Sequence, residues 1–483
     1  MSKEPADTQN QAIQTRNPKL TPDDKFKTAA HLEYRPPAAP FWNPNRVILA
    51  YFAGLILVGG LLLMLPLAAQ SGETTAPLVA FFTATSATCV TGLVLVDTGS
   101  YWSGFGHVVI FILIELGGLG FASSSILVLL PLHRRLNLND RIMLRSAIGS
   151  IKRRSVLQLS LFILGVTVVV QGVGAILLFL TWNGQFDTGK ALWWAVFHSA
   201  SAFTNAGFDL LGTQKQPFIS LTGYTTNYPV CLTISGLIFV GSLGFVVIAE
   251  LLEYPRTRRL SLLTRVVILA SLALCLFGTL FIWLVERNNP DTIGSLSLPD
   301  QFQAAFFQSV SPRTAGFNTV NLAALLTPSQ LMIMLLMFIG GGSGSAAGGL
   351  KVSTFVVILA SLRSVALGLP GTVIGKRTIP QHTVGQALAI GGLYTVGIAF
   401  FTLIISFFDR IELISILFEV ISAFCTVGLS LGATPTLSIP GKFILMVAMF
   451  IGRLGPLLLI LALVSRKERR NLVQYPEEDV AIG

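Results

Sequence analysis

Four short stretches of the chain, CVTGL at 89–93, TNAGF at 204–208, RTAGF at 313–317 and CTVGL at 425–429, each end on a glycine followed by a large apolar residue. The glycines, Gly92, Gly207, Gly316 and Gly428, lie 115, 109 and 112 residues apart, and a phenylalanine precedes each by ten positions: Phe82, Phe197, Phe306 and Phe418. The residues just before them, Val90 and Thr91, Asn205 and Ala206, Thr314 and Ala315, and Thr426 and Val427, are uncharged. Such residues offer an ion no charged side chain, but they do offer backbone carbonyls. A glycine tolerates positive or extended backbone angles, so the carbonyls ahead of it can turn to one side and replace the hydration shell of a cation. These twelve residues are the candidate cation-binding set. A packing role of the Gly-x-x-x-Gly kind explains one copy; it gives no reason for four in register.

The elements that must hold these stretches follow from composition. The 483 residues are 52% hydrophobic and 12% charged, with a mean hydropathy of +0.71, which exceeds ordinary soluble domains. A membrane span takes about 20 apolar residues, and suitable runs start near 47, 105, 155, 229, 264, 330, 384 and 441. Eight spans with one stretch between each pair give four units of span, hairpin, span: 47–132, 155–252, 264–367 and 384–465. Residues 1–46 and 466–483 form polar tails. The net charge of +10 could suggest nucleic acid, but Lys and Arg gather in 1–46, 133–154, 253–265, 351–382 and 466–470. That is positive-inside patterning; it places both termini in the cytosol and leaves no nucleic-acid reading. The opposite face carries acids, among them Asp97, Asp209, Glu286, Asp409 and Glu419, which either concentrate cations at an outer mouth or are ordinary loop acids.

Irregular backbone at membrane depth survives only where protein or a water-filled path surrounds it. Four hairpins round one axis meet that condition together, and the C-terminal ends of their half helices direct partial negative charge at the axis. The expected fold is therefore all-α and polytopic, with eight transmembrane helices as four span/P-loop/span repeats in pseudo-fourfold arrangement around a central ion pore. A second signature follows each glycine: ELGGLGF at 115–121, FVGSLGF at 239–245, FIGGGSG at 338–344 and FIGRLGP at 450–456. In the fourth copy Arg453 replaces a small residue. A charge in mid-span costs about 2.5 to 3.5 kcal/mol, so Arg453 faces the ion path or pairs with Glu115 in the first repeat. Six glycines within 340–349, each costing about 0.8 to 1.0 kcal/mol in a helix, predict that the third repeat's second span breaks. Arg313 and Glu419 also lie inside hairpins, as a buried pair or as caps.

These motifs resemble the Trk/Ktr/HKT superfamily of potassium transporters over about residues 47–465, with the KtrB branch the more similar because no extra pair of spans precedes the first repeat. The resemblance implies a selectivity filter at the twelve residues above, Arg453 as an electrostatic barrier beneath it, and a gating loop over 339–351 containing Gly340, Gly341, Gly342, Ser343, Gly344, Ser345, Gly348 and Gly349. It further implies potassium as the transported ion, a homodimer in the plasma membrane, a cytosolic ring of KtrA-like nucleotide-binding subunits, and sodium as a candidate activator, with no covalently bound cofactor. Members with serine at the first filter position favour sodium; all four positions here are glycine. Sodium-selective or non-selective transport is the alternative. Enzyme chemistry is disfavoured because His107, His133, His198 and His382 stand in unrelated contexts without a nucleophile and base or a metal set, and the four cysteines show neither metal spacing nor a disulfide framework.

Overall fold

A computed structural model describes residues 44–129 and 156–456. The expected N-terminal tail up to residue 43, the basic segment at 133–154 and the C-terminal tail at 466–483 lie outside the described residues. Fourteen helices of twelve residues or more carry the described fold. The first repeat has α1 (Pro44–Leu63), α2 (Pro77–Thr88) and α3 (Gly104–Leu129); the second has α4 (Val156–Trp182), α5 (Thr188–Phe203), α6 (Tyr228–Leu243) and α7 (Phe245–Thr257). The third has α8 (Leu262–Glu286), α9 (Leu298–Val310), α10 (Thr327–Phe338) and α11 (Val352–Ala366), and the fourth α12 (Gln381–Phe408), α13 (Leu413–Phe424) and α14 (Ile439–Leu454). A two-residue antiparallel pair, β1 (Val373–Ile374) with β2 (Arg377–Thr378), links α11 to α12.

The core is apolar, but the outer face of the long helices is apolar as well. Leu57 and Leu61 on α1, Val168 and Leu180 on α4, Leu269 and Leu276 on α8, and Phe400 and Leu403 on α12 are exposed, whereas Thr83, Thr85, Ser86, Thr88, Ser199 and Ser422 are buried. Apolar residues on the outside and hydroxyls within suit a chain whose solvent is lipid. The half helices α2, α5, α9 and α13 run 12, 16, 13 and 12 residues, about 18 to 24 Å at 1.5 Å per residue, too short for the roughly 30 Å hydrocarbon layer. Their starts are set by proline in the first turn of α2 and α9 and by Asp187, whose carboxylate accepts from Gly189 N–H at α5.

Among the described residues four helices are long and apolar enough to cross a membrane, α1, α4, α8 and α12, or five if α6 and α7 count as one span bent by 98°. The sequence leads one to expect eight spans, and the described residues show an interruption in the second helix of each repeat. Each repeat's second helix is interrupted within its glycine signature: at Gly120 (φ 71°), Gly244 (φ 95°) and Gly455 (φ 82°), and in the third repeat over 339–351. The break predicted for the third repeat alone recurs in all four.

Candidate functional site

Three of the half helices stop in the same way. Thr91 N–H bonds to Ser86 C=O (2.8 Å) and Val90 N–H to Ala87 C=O (3.1 Å); Ala206 with Ser201 and Asn205 with Ala202, and Val427 with Ser422 and Thr426 with Ala423, repeat the pattern. This is the Schellman ending, which ordinarily places glycine at its left-handed position. Here Val90 (φ 56°), Asn205 (φ 59°) and Thr426 (φ 51°) occupy it, and Thr314 (φ 75°) matches them in the third repeat. Two glycine-type conformations two residues apart, the second at Gly92, Gly207, Gly316 and Gly428 (φ 71° to 97°), flank one residue of ordinary handedness. The carbonyl between the two positive-φ residues, of Thr91, Ala206, Ala315 and Val427, lies against the glycine of a neighbouring repeat. Strain in β-branched residues at positive φ, about 1 to 3 kcal/mol each, is typical of sites held for function, and no glycine signal in the sequence marks these positions.

The four glycines meet one another. A Cβ placed on Gly92 would fall 2.5 Å from Ala206 O, one on Gly207 2.6 Å from Ala315 O, one on Gly316 2.6 Å from Val427 O, and one on Gly428 2.2 Å from Thr91 O. Each glycine thus touches the carbonyl just before the next repeat's glycine, in the cyclic order one, two, three, four, one. The twelve sequence-predicted residues are brought together, and all are buried except Gly428, which is half-buried.

The third repeat is one residue out of step. Phe82, Phe197 and Phe418 are fully buried ten positions before their glycines, but Phe307, nine before Gly316, takes the buried place and Phe306 is only half-buried. The spacing from the buried phenylalanine to the glycine is one residue shorter in the third repeat, and Ala315 N–H accordingly bonds to Ser311 C=O.

Second-helix glycines seat the half helices. A Cβ on Gly117, Gly241 or Gly452 would lie 2.0, 1.9 or 2.0 Å from Thr88 O, Phe203 O or Phe424 O, the carbonyl four residues before a filter-type glycine. The segment 339–351 is non-helical: Gly340 N–H bonds to Leu350 C=O and Gly342 N–H to Ser242 C=O of the second repeat. A Cβ on Gly348 would lie 1.9 Å from Thr426 Oγ1 in the fourth. The segment therefore reaches from the second repeat to the foot of the fourth repeat's glycine stretch. Arg453 donates to Ala346 C=O in this segment and to Gly117 and Gly118 C=O of the first repeat. Lys351 Nζ donates to Ala347 C=O at 2.5 Å. Glu115 is not Arg453's partner in these bonds; its Oε1 accepts from Gln171 Nε2 at 2.7 Å.

Most of the outer acids hold loops instead of facing open water. Glu419 accepts from Ser430, Leu431 N–H and Thr434, Glu286 from Leu326 N–H, Asn289 and Thr292, and Asp409 from Ser438. Glu419 is a cap and not Arg313's ion-pair partner; Arg313 is buried and donates to Ser271 and Cys275. A cavity of about 460 Å³ opens above the glycine ring, lined by all four glycines with Asp97 and Asp209 as its acids. Among the described residues no group of three His, Cys, Asp or Glu side chains could hold a metal ion.

A family model described as TrkH, cation transport protein, matches residues 45–475. The chain belongs to the TrkH family of cation transport proteins. It is a multi-pass membrane transporter and not an enzyme. It is 38% identical over 445 residues to the Ktr system potassium uptake protein B of Vibrio alginolyticus, covering 91% of this chain and 94% of that one. It is 36% identical over 446 residues to the potassium/sodium uptake protein NtpJ of Enterococcus hirae, covering 91% and 97%. The crystal structure of the potassium transporter TrkH from Vibrio parahaemolyticus shares the fold at a TM-score of 0.69 and 19% identity, over 88% of this chain and 86% of that one.

For a TrkH-family transporter the mouth acids have a consequence. Burial and the neighbouring Asp97 carboxylate hold the Asp209 carboxyl up at about 7, so it is neutral below that pH and charged above it. A unit charge about 4 Å away in water is worth about 1 kcal/mol. Cation uptake at sub-saturating concentration is expected to rise by a factor of about three between pH 6 and pH 8, and Asp209→Asn to flatten that rise. Tracer uptake against external pH measures it; an unchanged slope in Asp209→Asn sinks the assignment.

Proposed function

We propose that the chain is the potassium-translocating pore subunit of a Ktr-type uptake system. The carrying observation is the ring in which each of four glycines touches the carbonyl ahead of the next. Four strands of inward carbonyls, with no side-chain charge among the twelve residues, suit a dehydrated potassium ion. The ion passes between Val90, Thr91 and Gly92 and their counterparts Asn205 to Gly207, Thr314 to Gly316 and Thr426 to Gly428. The same ring supports eight spans in pseudo-fourfold arrangement, with repeats at 47–132, 155–252, 264–367 and 384–465. The names of the similar proteins, one a potassium uptake protein and one a potassium/sodium uptake protein, support potassium, with sodium as activator or second cargo. The chain sits in the plasma membrane with both termini cytosolic, as a homodimer on a cytosolic ring of nucleotide-binding subunits.

Under this reading Arg453 is the barrier beneath the filter and 339–351 the gate. Gly348 seats the gate against the fourth filter stretch, where a methyl group would meet Thr426 Oγ1 and, at 2.8 Å, Cys425 O. Gly348→Ala is expected to hold the loop off its seat and raise cation leak several-fold without the regulatory partner, read as rubidium efflux from vesicles. Leak equal to wild type would remove the loop from the gate.

The reading as a whole is tested by growth of a potassium-uptake-deficient bacterium at low potassium, expressing this chain with its cytosolic partner. Rescue by potassium and not by equal sodium is expected. Failure to rescue, with the protein inserted and the partner bound, overturns the potassium assignment.

A further inference from the structure

One serine on each half helix, or in the third repeat just past its end, reaches the filter stretch, and the four do so in two different ways. Ser86 Oγ accepts from Gly92 N–H at 3.0 Å, and Ser422 Oγ from Gly428 N–H at 3.1 Å. Ser201 Oγ instead donates to Phe208 C=O at 2.7 Å, and Ser311 Oγ to Phe317 C=O. All four serines are fully buried. In chain order they stand six residues before the glycine in repeats one, two and four, and five before it in repeat three, the same one-residue shift seen for Phe307.

The direction of the bond decides which carbonyl it fixes. A peptide group is planar and trans, so its N–H and C=O point opposite ways. Holding Gly92 N–H back toward the half helix aims Thr91 C=O away from it, toward the ring; Ser422 does the same for Val427 C=O. Holding Phe208 or Phe317 C=O back toward the half helix withdraws that oxygen from the outer mouth. We propose that these serines are positioning residues of the filter and that they make its outer end two-fold: repeats one and four are pinned at the selecting carbonyl, and repeats two and three have their outermost carbonyl retired. In the ring order given by the glycine contacts, one neighbours four and two neighbours three, so the two classes occupy opposite halves of the pore. An ion arriving from the mouth meets outer carbonyls on one half only, the half of Leu93 and Leu429.

This inference rests on the potassium-filter reading, and the experiment separates the two. Wild type and single Ser→Ala variants are compared in rescued cells, with potassium and sodium apparent KM measured at matched amounts of protein in the membrane. Loss of one net hydrogen bond corresponds to about a fivefold change. Ser86→Ala and Ser422→Ala are expected to lower the ratio of sodium KM to potassium KM about fivefold. Ser201→Ala and Ser311→Ala are expected to move potassium KM while keeping that ratio within about twofold. Ser→Thr, which keeps the hydroxyl, restores the wild-type ratio in each case. If an alanine variant does not reach the membrane, Ser→Cys, a weaker donor and acceptor, gives a smaller loss in the same order. Equal loss of the ratio in all four positions, or no loss in any, overturns the two-fold assignment. Failure of wild type to take up potassium overturns the filter reading instead.

Discussion

Replacing Gly92 by serine is expected to cut discrimination of potassium over sodium at least tenfold while leaving the protein in the membrane. The backbone there has φ 93°, where an L side chain costs about 1 to 2 kcal/mol, and tenfold corresponds to about 1.4 kcal/mol. Strain alone reaches that size. The new Cβ also has nowhere to go: it would lie 2.5 Å from Ala206 O, 3.2 Å from Gly207 Cα and 3.3 Å from Gly428 Cα, all backbone atoms of neighbouring repeats. Ala206 O is one of the proposed ligands, so relief of the clash must move a coordinating oxygen. Because each glycine presses on the next repeat's carbonyl, the displacement passes round the ring. Gly72→Ser supplies the control. Gly72 has φ 73° but open space around it, so it carries the strain without the clash and is expected to leave selectivity unchanged. Competitive uptake of potassium against sodium reads both variants; a Gly92→Ser protein as selective as wild type would sink the ring.

The ring's members were legible in the sequence because glycine at a fixed place in four copies is a backbone signal, and backbone is what the proposed coordination uses. The break at 339–351 was legible for the same reason. What sequence pattern missed lies one level down. Val90, Asn205, Thr314 and Thr426 adopt positive φ although three of them are β-branched, and propensity argues the other way; the tertiary ring overrides it. Gly120, Gly244 and Gly455 interrupt the other second helices, and with only two or three glycines in each signature they read, inside an apolar run, as tolerated packing residues. The one-residue shift of the third repeat was hidden because FFQSVS opens on two adjacent phenylalanines, so an alignment on Phe306 looks as good as one on Phe307. Outer acids such as Glu286 and Glu419 looked like a charged mouth because sequence cannot tell a solvated carboxylate from one that three donors already occupy.

Arg453→Gln is expected to raise cation flux about ten- to thirtyfold. Unit charges about 8 Å apart repel by roughly 2 kcal/mol at an effective dielectric near 20, a factor of about thirty. Under the proposed function, that is the barrier a guanidinium beneath the filter would set against each passing cation. Its position is fixed by carbonyls from two directions, Ala346 in the loop and Gly117 and Gly118 in the first repeat, so it ties the loop to the first repeat and, under the proposed function, is also a charge on the path. Lys351, bonded to Ala347 C=O one residue further along the loop, lies nearby. Glutamine removes Arg453's charge and most of its donors together, and the exposed carbonyls then attract the ion instead of repelling it. Arg453→Lys separates the two roles. The ammonium keeps the charge but not the planar fork that spans several acceptors, so it is expected to restore most of the resting barrier while the loop loses its tie and the response to the cytosolic partner weakens. Rubidium efflux from vesicles, with and without that partner, distinguishes these outcomes. Flux through Arg453→Gln equal to wild type would mean that the arginine holds structure only, and that the barrier lies in the loop's backbone across the path.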